Sequence, residues 1–300
     1  MTLEQQRKML GADGDIERDC DRIVEEAARL VLDRSLSAPS ITELIGEGED
    51  LDLDDIDKQE VAKAIELEQK VESNAEPGAK CALAQWMERY RHIARNPEEW
   101  AHSMLKWYAK ASLAGVAAAM SAIGRAFDGW FDNPDMFVDP DEGIATDEDD
   151  RLVQDPVVAA ACELSAAKRG DSFGLYQWYF YYMGIHDEKV CERNFDKAME
   201  CLIRLVERDH EVNKGILHDV WAHQGPHQLE LLVKNAPPES KCDNREYAYI
   251  FGLCHEHGWV LDKDLNKAFG YYRKAVKFGH AKSEEAARRV AAELGSCGNH

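Results

Sequence analysis

Apolar and small residues follow a helical rhythm along most of the chain, and the rhythm returns in register. Over residues 251–279, FGLCHEHGWVLDKDLNKAFGYYRKAVKFG, Ala275 lies four positions before Gly279, Tyr272 and Tyr271 seven and eight before, and Ala268 eleven before. The same order holds for Gly115, Ala111, Tyr108, Trp107 and Met104. It returns more loosely as Gly170, Ala166, Glu163, Cys162 and Ala159, and as Asp209, Leu205, Leu202, Cys201 and Ala198. Any amphipathic helix has apolar positions three and four apart, so one such pattern says little. Four in one phase mark a repeat.

The residues after each anchor recur as well: Gly115 is followed by Ala119, Ile123-Gly124 and Phe127, and Gly78 by Ala82, Trp86-Met87 and Tyr90. Each unit therefore predicts two helices. Small residues let their backbones approach, large ones fill the gaps, and the glycine ends the second helix in a left-handed conformation. The anchors Gly78, Gly115, Gly170, Asp209 and Gly279 are 37, 55, 39 and 70 residues apart. A period in the mid-thirties predicts an α-solenoid.

These residues resemble the Sel-one-like repeat (SLR) family, relatives of the tetratricopeptide repeats. That motif, roughly A-x3-LG-x2-Y-x2-G, an aspartate-bearing loop, then KA-x2-WY-x-KAA-x2-G, is matched by Ala248, Phe251-Gly252, His255, Gly258, Asp264, Lys267-Ala268, Tyr271-Tyr272, Lys274-Ala275 and Gly279. It is matched again by Trp107-Tyr108, Lys110-Ala111, Gly115, Ala119, Ile123-Gly124 and Phe127. Tyr179 stands where the family has glycine, and Pro237-Pro238 interrupts the unit at 209–242. The resemblance implies an all-α, right-handed α-solenoid of about five helix-hairpin repeats.

The expected organisation is an N-terminal helical cap with an acidic linker over 1–74, repeats over 75–293 and a flexible tail over 294–300. Residues 16–34 place Ile16, Ile23, Ala27, Leu30 and Val31 on one side of a helix that needs a partner, expected to be the first repeat. A second helix is expected over 57–72, and Pro97 at the first turn of another.

Charge sharpens this picture, because the net −21 is local. Residues 43–60 hold nine acids and one Lys, residues 132–155 ten acids and one Arg, and the remaining 258 residues carry only −4. Self-repulsion makes each tract a solvated segment, the second being an insertion within a repeat at 130–155. No apolar run approaches the roughly 18 residues a membrane span needs, and no secretory signal precedes the first helix, so a cytoplasmic protein is expected. The eight cysteines show no pairing repeated from unit to unit and read as reduced, structural thiols.

The resemblance also directs attention to the first helices of each hairpin, which line the groove in tetratricopeptide-type arrays. Carried across, the partner-binding positions are Glu88, Arg91, Arg125, Asp128, Tyr176, Phe180, Asp219, His223, Glu246, Tyr249 and Glu256. Tyr176 and Phe180 belong to an aromatic run, 173–182, that exceeds what repeat packing requires, and such aromatics serve either as extra core or as binding anchors.

Catalytic patterns are weaker. His218 and His223 are five apart, not the three or four that put two ligands on one helical face, and Gly225-Pro226 separates them from His227. His255-Glu256-His257 is not HExxH, and the run from Asp139 to Asp150 misses the calcium-loop glycine and its bidentate Glu. No GxxxxGK[ST], GxGxxG or GxSxG occurs, and no basic stripe offers a path for phosphates. The expectation is a non-enzymatic protein–protein interaction module, an adaptor or scaffold, without cofactor, with a basic partner and neither nucleic acid nor membrane. The alternatives are an immunity protein that neutralises a basic, nuclease-like toxin, and a metal-dependent hydrolase using the His218–His227 region.

Overall fold

The computed structural model describes residues 2–12, 14–45, 55–73, 76–131, 137–138, 151–185, 190–208, 230, 233–234 and 244–297. They form an all-α fold with one two-residue strand pair. The chain divides into two compact units, Met1–Glu192 and Arg193–His300.

The first unit contains α1 (Leu3–Leu10), α2 (Ile16–Ser35), α3 (Ile41–Ile45), α4 (Asp55–Ser73), α5 (Pro77–Arg89), a 3-10 turn (Arg91–Ile93), α6 (Pro97–Leu113), α7 (Ala117–Phe127), α8 (Pro156–Lys168) and α9 (Ser172–Met183). From α5 to α9 each helix packs on the next, and α7 also touches α9, which is how stacked hairpins make neighbours of alternate helices. The second unit contains α10 (Phe195–Glu207), α11 (Arg245–His257), α12 (Leu265–Lys277) and α13 (Ser283–Cys297), with α12 packed on both α11 and α13.

The local chemistry follows the repeat. Gly115, Gly170 and Gly279 have φ of 88°, 88° and 83°, the left-handed turn that closes the second helix of a hairpin at little cost only to glycine. Asn96, Asp155, Asp171, Asn244 and Asp264 each accept hydrogen bonds from first-turn amides, starting α6, α8, α9, α11 and α12. Pro97 sits in the first turn of α6, as expected, and Pro156 does the same for α8. Gly252 permits a close approach, since a Cβ there would lie 2.6 Å from the ring of Tyr272. The core is made of the motif residues themselves: Trp107, Tyr108, Ala111, Phe127, Trp178, Ala268, Tyr272 and Ala275 are all buried.

Three features differ from the sequence reading. Gly78 does not end a helix; it lies in the first turn of α5 behind Pro77, and α4 has already stopped at Ser73. Helix α2 buries the predicted Ile16, Ile23, Ala27 and Val31, and its partners are α6, α7 and α8, so it runs across two hairpins instead of resting on the first alone. Each fully buried Ile or Val on that face contributes about 1.5–3 kcal/mol, and at its rim Asp21 pairs with Arg169 at 2.7 Å.

The third feature is α1, which the sequence reading did not anticipate. A capping box between Thr2 and Gln5 starts it, and Gly11 ends it at φ 66°. Its side chains reach the base of the acidic insertion. Strands β1 (Phe137–Val138) and β2 (Leu152–Val153) pair in parallel there. The buried Gln6 donates to the Val153 carbonyl at 2.7 Å and accepts from the Val153 amide at 2.9 Å. Arg7 makes two hydrogen bonds of 2.8 Å to the buried Asp155. Most of the two acidic tracts lies outside the described residues.

Candidate partner-binding wall

In the first unit, α5, α7 and α9 are the first helices of successive hairpins, and side chains from the C-terminal turns of α5 and α7 meet near Phe173 in the first turn of α9. Glu88, in the last turn of α5, receives both nitrogens of Arg125 on α7, at 2.7 and 3.2 Å, and the hydroxyl of Tyr108 on α6 at 2.5 Å. Burial alone would raise the Glu88 carboxyl, and the Arg125 guanidinium more than offsets it, so the acid titrates below its usual range. Arg125 lies 5.1 Å from the ring centre of Phe131 and 5.8 Å from that of Phe173, a cation held over two aromatic faces.

Around this pair the wall is aromatic. Trp130 is 55 % exposed, meets Phe173 edge-on at 5.6 Å and donates its indole N–H to Asp128 at 3.0 Å. Tyr176 and Phe180 are half-buried one turn apart on α9 and also meet edge-on, at 4.7 Å. Next to Phe131 a cleft of about 340 Å³ opens between α5, the 3-10 turn and α6. Trp100, Met104 and Phe131 form its buried floor, and Arg91 and His92 stand exposed at its edge.

Beneath the wall sits a residue that sequence reasoning noted only as a loose motif match. Glu163 on α8 occupies the position held by Tyr108 and Tyr272 in their hairpins; it is 1 % exposed, and its Oε2 has no hydrogen-bond partner. Burial first, and the nearby Asp128 carboxylate second, push its acid up to about 8; the Gln177 amide and Arg125 work in the opposite direction.

The predicted groove residues thus separate into groups. Glu88, Arg91, Arg125 and Asp128 gather at the ends of α5 and α7, with Glu88 and Arg125 engaged with each other, and Tyr176 and Phe180 stand together on α9. In the second unit Glu246 and Glu256 are buried, not presented to a groove. Glu256 accepts from Tyr272 at 2.6 Å and from Arg289 at 3.0 and 2.9 Å, and Glu246 lies 3.5 Å from the buried His280. Tyr249 is half-buried and stacks on His280 at 4.2 Å. Asp219 and His223 lie outside the described residues, as do His218 and His227. Trp130, Phe131 and Phe173 were not singled out as binding positions. They flank helix ends, where periodicity gives no cue, and only the density of aromatics near the acidic insertion pointed their way.

Among the described residues no group of three His, Cys, Asp or Glu is arranged to hold a metal ion, and no helix is long and apolar enough to cross a membrane. Cys20, Cys81, Cys162, Cys201 and Cys254 are buried free thiols. Burial pushes the Cys81 thiol up to about 11 and that of Cys254 to about 12, away from nucleophilic use.

No family model matches the sequence, and no curated protein does. Among solved structures, a Sel1 repeat protein from Oxalobacter formigenes shares 12 % identity at a TM-score of 0.44, over 69 % of this chain and 75 % of that one. The protein c5321, a protective antigen present in uropathogenic Escherichia coli strains and displaying an SLR fold, shares 18 % identity at a TM-score of 0.46. That match covers 92 % of this chain, which spans about half (52 %) of the antigen's length. Both bear the repeat name to which the motif points, at a similarity that leaves the hairpins themselves to carry the fold.

Proposed function

We propose that the chain is a non-enzymatic protein–protein interaction module that grips a partner polypeptide on the first unit's wall of α5, α7 and α9. The observation that carries this reading is Trp130, a large aromatic left 55 % exposed against Phe173 and beside the Arg125 cation. Half-exposed aromatic and arginine side chains contribute binding energy out of proportion to their number. The net charge of −21 supports a partner of net positive charge drawn in at long range, an attraction screened within about 10 Å at 0.1 M salt.

The test is selection of a displayed random peptide library on the whole chain, followed by affinity measurement of the enriched sequences against Trp130→Ala and Phe173→Ala. Discrete binders that lose about tenfold in affinity on removal of Trp130, typical of a modest hot spot, are expected. A library that yields no binders, or binders indifferent to both substitutions, would sink the reading.

A further inference from the structure

The cleft beside Glu88 has a local charge opposite to that of the whole chain. Three of its lining residues, Trp100, Met104 and Phe131, are buried and apolar. The carboxylate at its edge, Glu88, has its charge already met: Arg125 spans both oxygens and Tyr108 donates to one of them. What remains is Arg91, exposed and without an ion pair among the described residues, with the exposed His92 next to it. Exposed Arg89 and Arg95 flank this turn in sequence, and exposed Glu98 and Glu99 follow Pro97 in α6, so among the lining residues themselves Arg91 is the charge left over. A protein of charge −21 therefore presents a cation, Arg91, at the edge of an apolar cleft.

We propose that this cleft docks an acidic segment of the partner, with one aromatic or aliphatic side chain seated on Trp100, Met104 and Phe131 and flanking carboxylates meeting Arg91. The proposal rests on the binding-module reading and adds to it the chemistry of what enters. The volume of about 340 Å³ is at the small end of ligand sites, suited to a single anchoring side chain. An apolar floor without a carboxylate free to pair gives nothing to a lysine or arginine in that place, and Arg91 repels it. Long-range attraction of a basic partner and local docking of its acidic stretch are compatible, since screening confines Arg91 to its near neighbours.

Two fluorescein-labelled peptides with the same central phenylalanine, one flanked by aspartates and one by lysines, are titrated against the whole chain by anisotropy at low salt. The aspartate-flanked peptide binds about tenfold tighter, the sum expected of a few exposed charge contacts and their reversal. Arg91→Glu, on an exposed side chain that leaves the fold intact, abolishes or reverses that preference. No binding of either peptide, equal binding, or a preference that survives Arg91→Glu overturns the proposal. If the displayed peptides still bind and still depend on Trp130, only the cleft assignment falls; if they also fail, the wall falls with it.

Discussion

The hairpins closed by Gly115 and Gly279 and the hairpin closed by Gly170 solve the same packing problem with different chemistry. In the first two, a tyrosine seven residues before the glycine, Tyr108 or Tyr272, gives its hydroxyl to a carboxylate on the preceding helix, Glu88 or Glu256. An arginine ten residues after the glycine, Arg125 or Arg289, closes the triad from the following helix. Three helices are thereby tied through one carboxylate. In the middle hairpin Glu163 stands in the tyrosine's place and Phe180 in the arginine's, so the buried group is an acid with no guanidinium bound to it. The difference shows how one repeat position can fasten the array in two units and load it with a buried acid in the third.

The largest effect expected from this contrast is at Glu163. Its folded acid, at about 8, lies above the ordinary carboxyl value of 4.5, so the folded state holds the proton longer than the unfolded chain. The Glu163 contribution to stability is therefore full below about pH 4.5, falls as pH rises toward 8, and levels off beyond. The span corresponds to a ceiling on the order of 5 kcal/mol. Glu163→Gln removes the ionisation and keeps the shape, so thermal melts from pH 5 to 9 should flatten in the variant. Parallel curves for the two proteins would refute the account.

Next in size is the arginine of each triad. Arg125→Ala leaves a mostly buried carboxylate without its cation and is expected to cost roughly 2–3 kcal/mol in urea unfolding at pH 7. Arg289 is 54 % exposed, and the same change there is expected to cost about 1 kcal/mol. Glu88 titrates below its usual range, so its contribution is present above about pH 4.5 and lost as pH falls through the depressed value. Wild type and Arg125→Ala should converge under acid, and a gap that persists at low pH would speak against the ion pair as the cause.

The smallest effect belongs to the tyrosines. Tyr108→Phe and Tyr272→Phe each delete one hydrogen bond to an acceptor that an arginine still holds, and should cost about 0.5 kcal/mol, the low end of a hydrogen bond's net contribution. Reading both variants in the Arg→Ala backgrounds shows whether hydroxyl and guanidinium act as one unit.

The repeat was legible because its markers are steric. Gly115, Gly170 and Gly279 recur where only glycine turns cheaply, and Trp107, Tyr108 and Tyr272 fill gaps whose size sets the residue type. Electrostatic partners were not legible in that way. Glu88 and Glu256 stand at edges of amphipathic helices, where a solvated acid and a triad acid look alike in sequence, and both were assigned to an open groove. Gly78 misled because a glycine behind proline also suits a helix start. The eight residues of α1 are too few for periodicity to speak, and the spacing of Thr2 and Gln5 was its one available sign.

Gln6 carries a consequence far from its own helix. By satisfying both main-chain polar groups of Val153, a single amide does what a neighbouring strand would otherwise do, and so blunts that margin of β2 against pairing with another molecule. Its replacement by leucine should orphan two buried groups and uncover a sticky ribbon, with self-association visible by light scattering before any change in helix content.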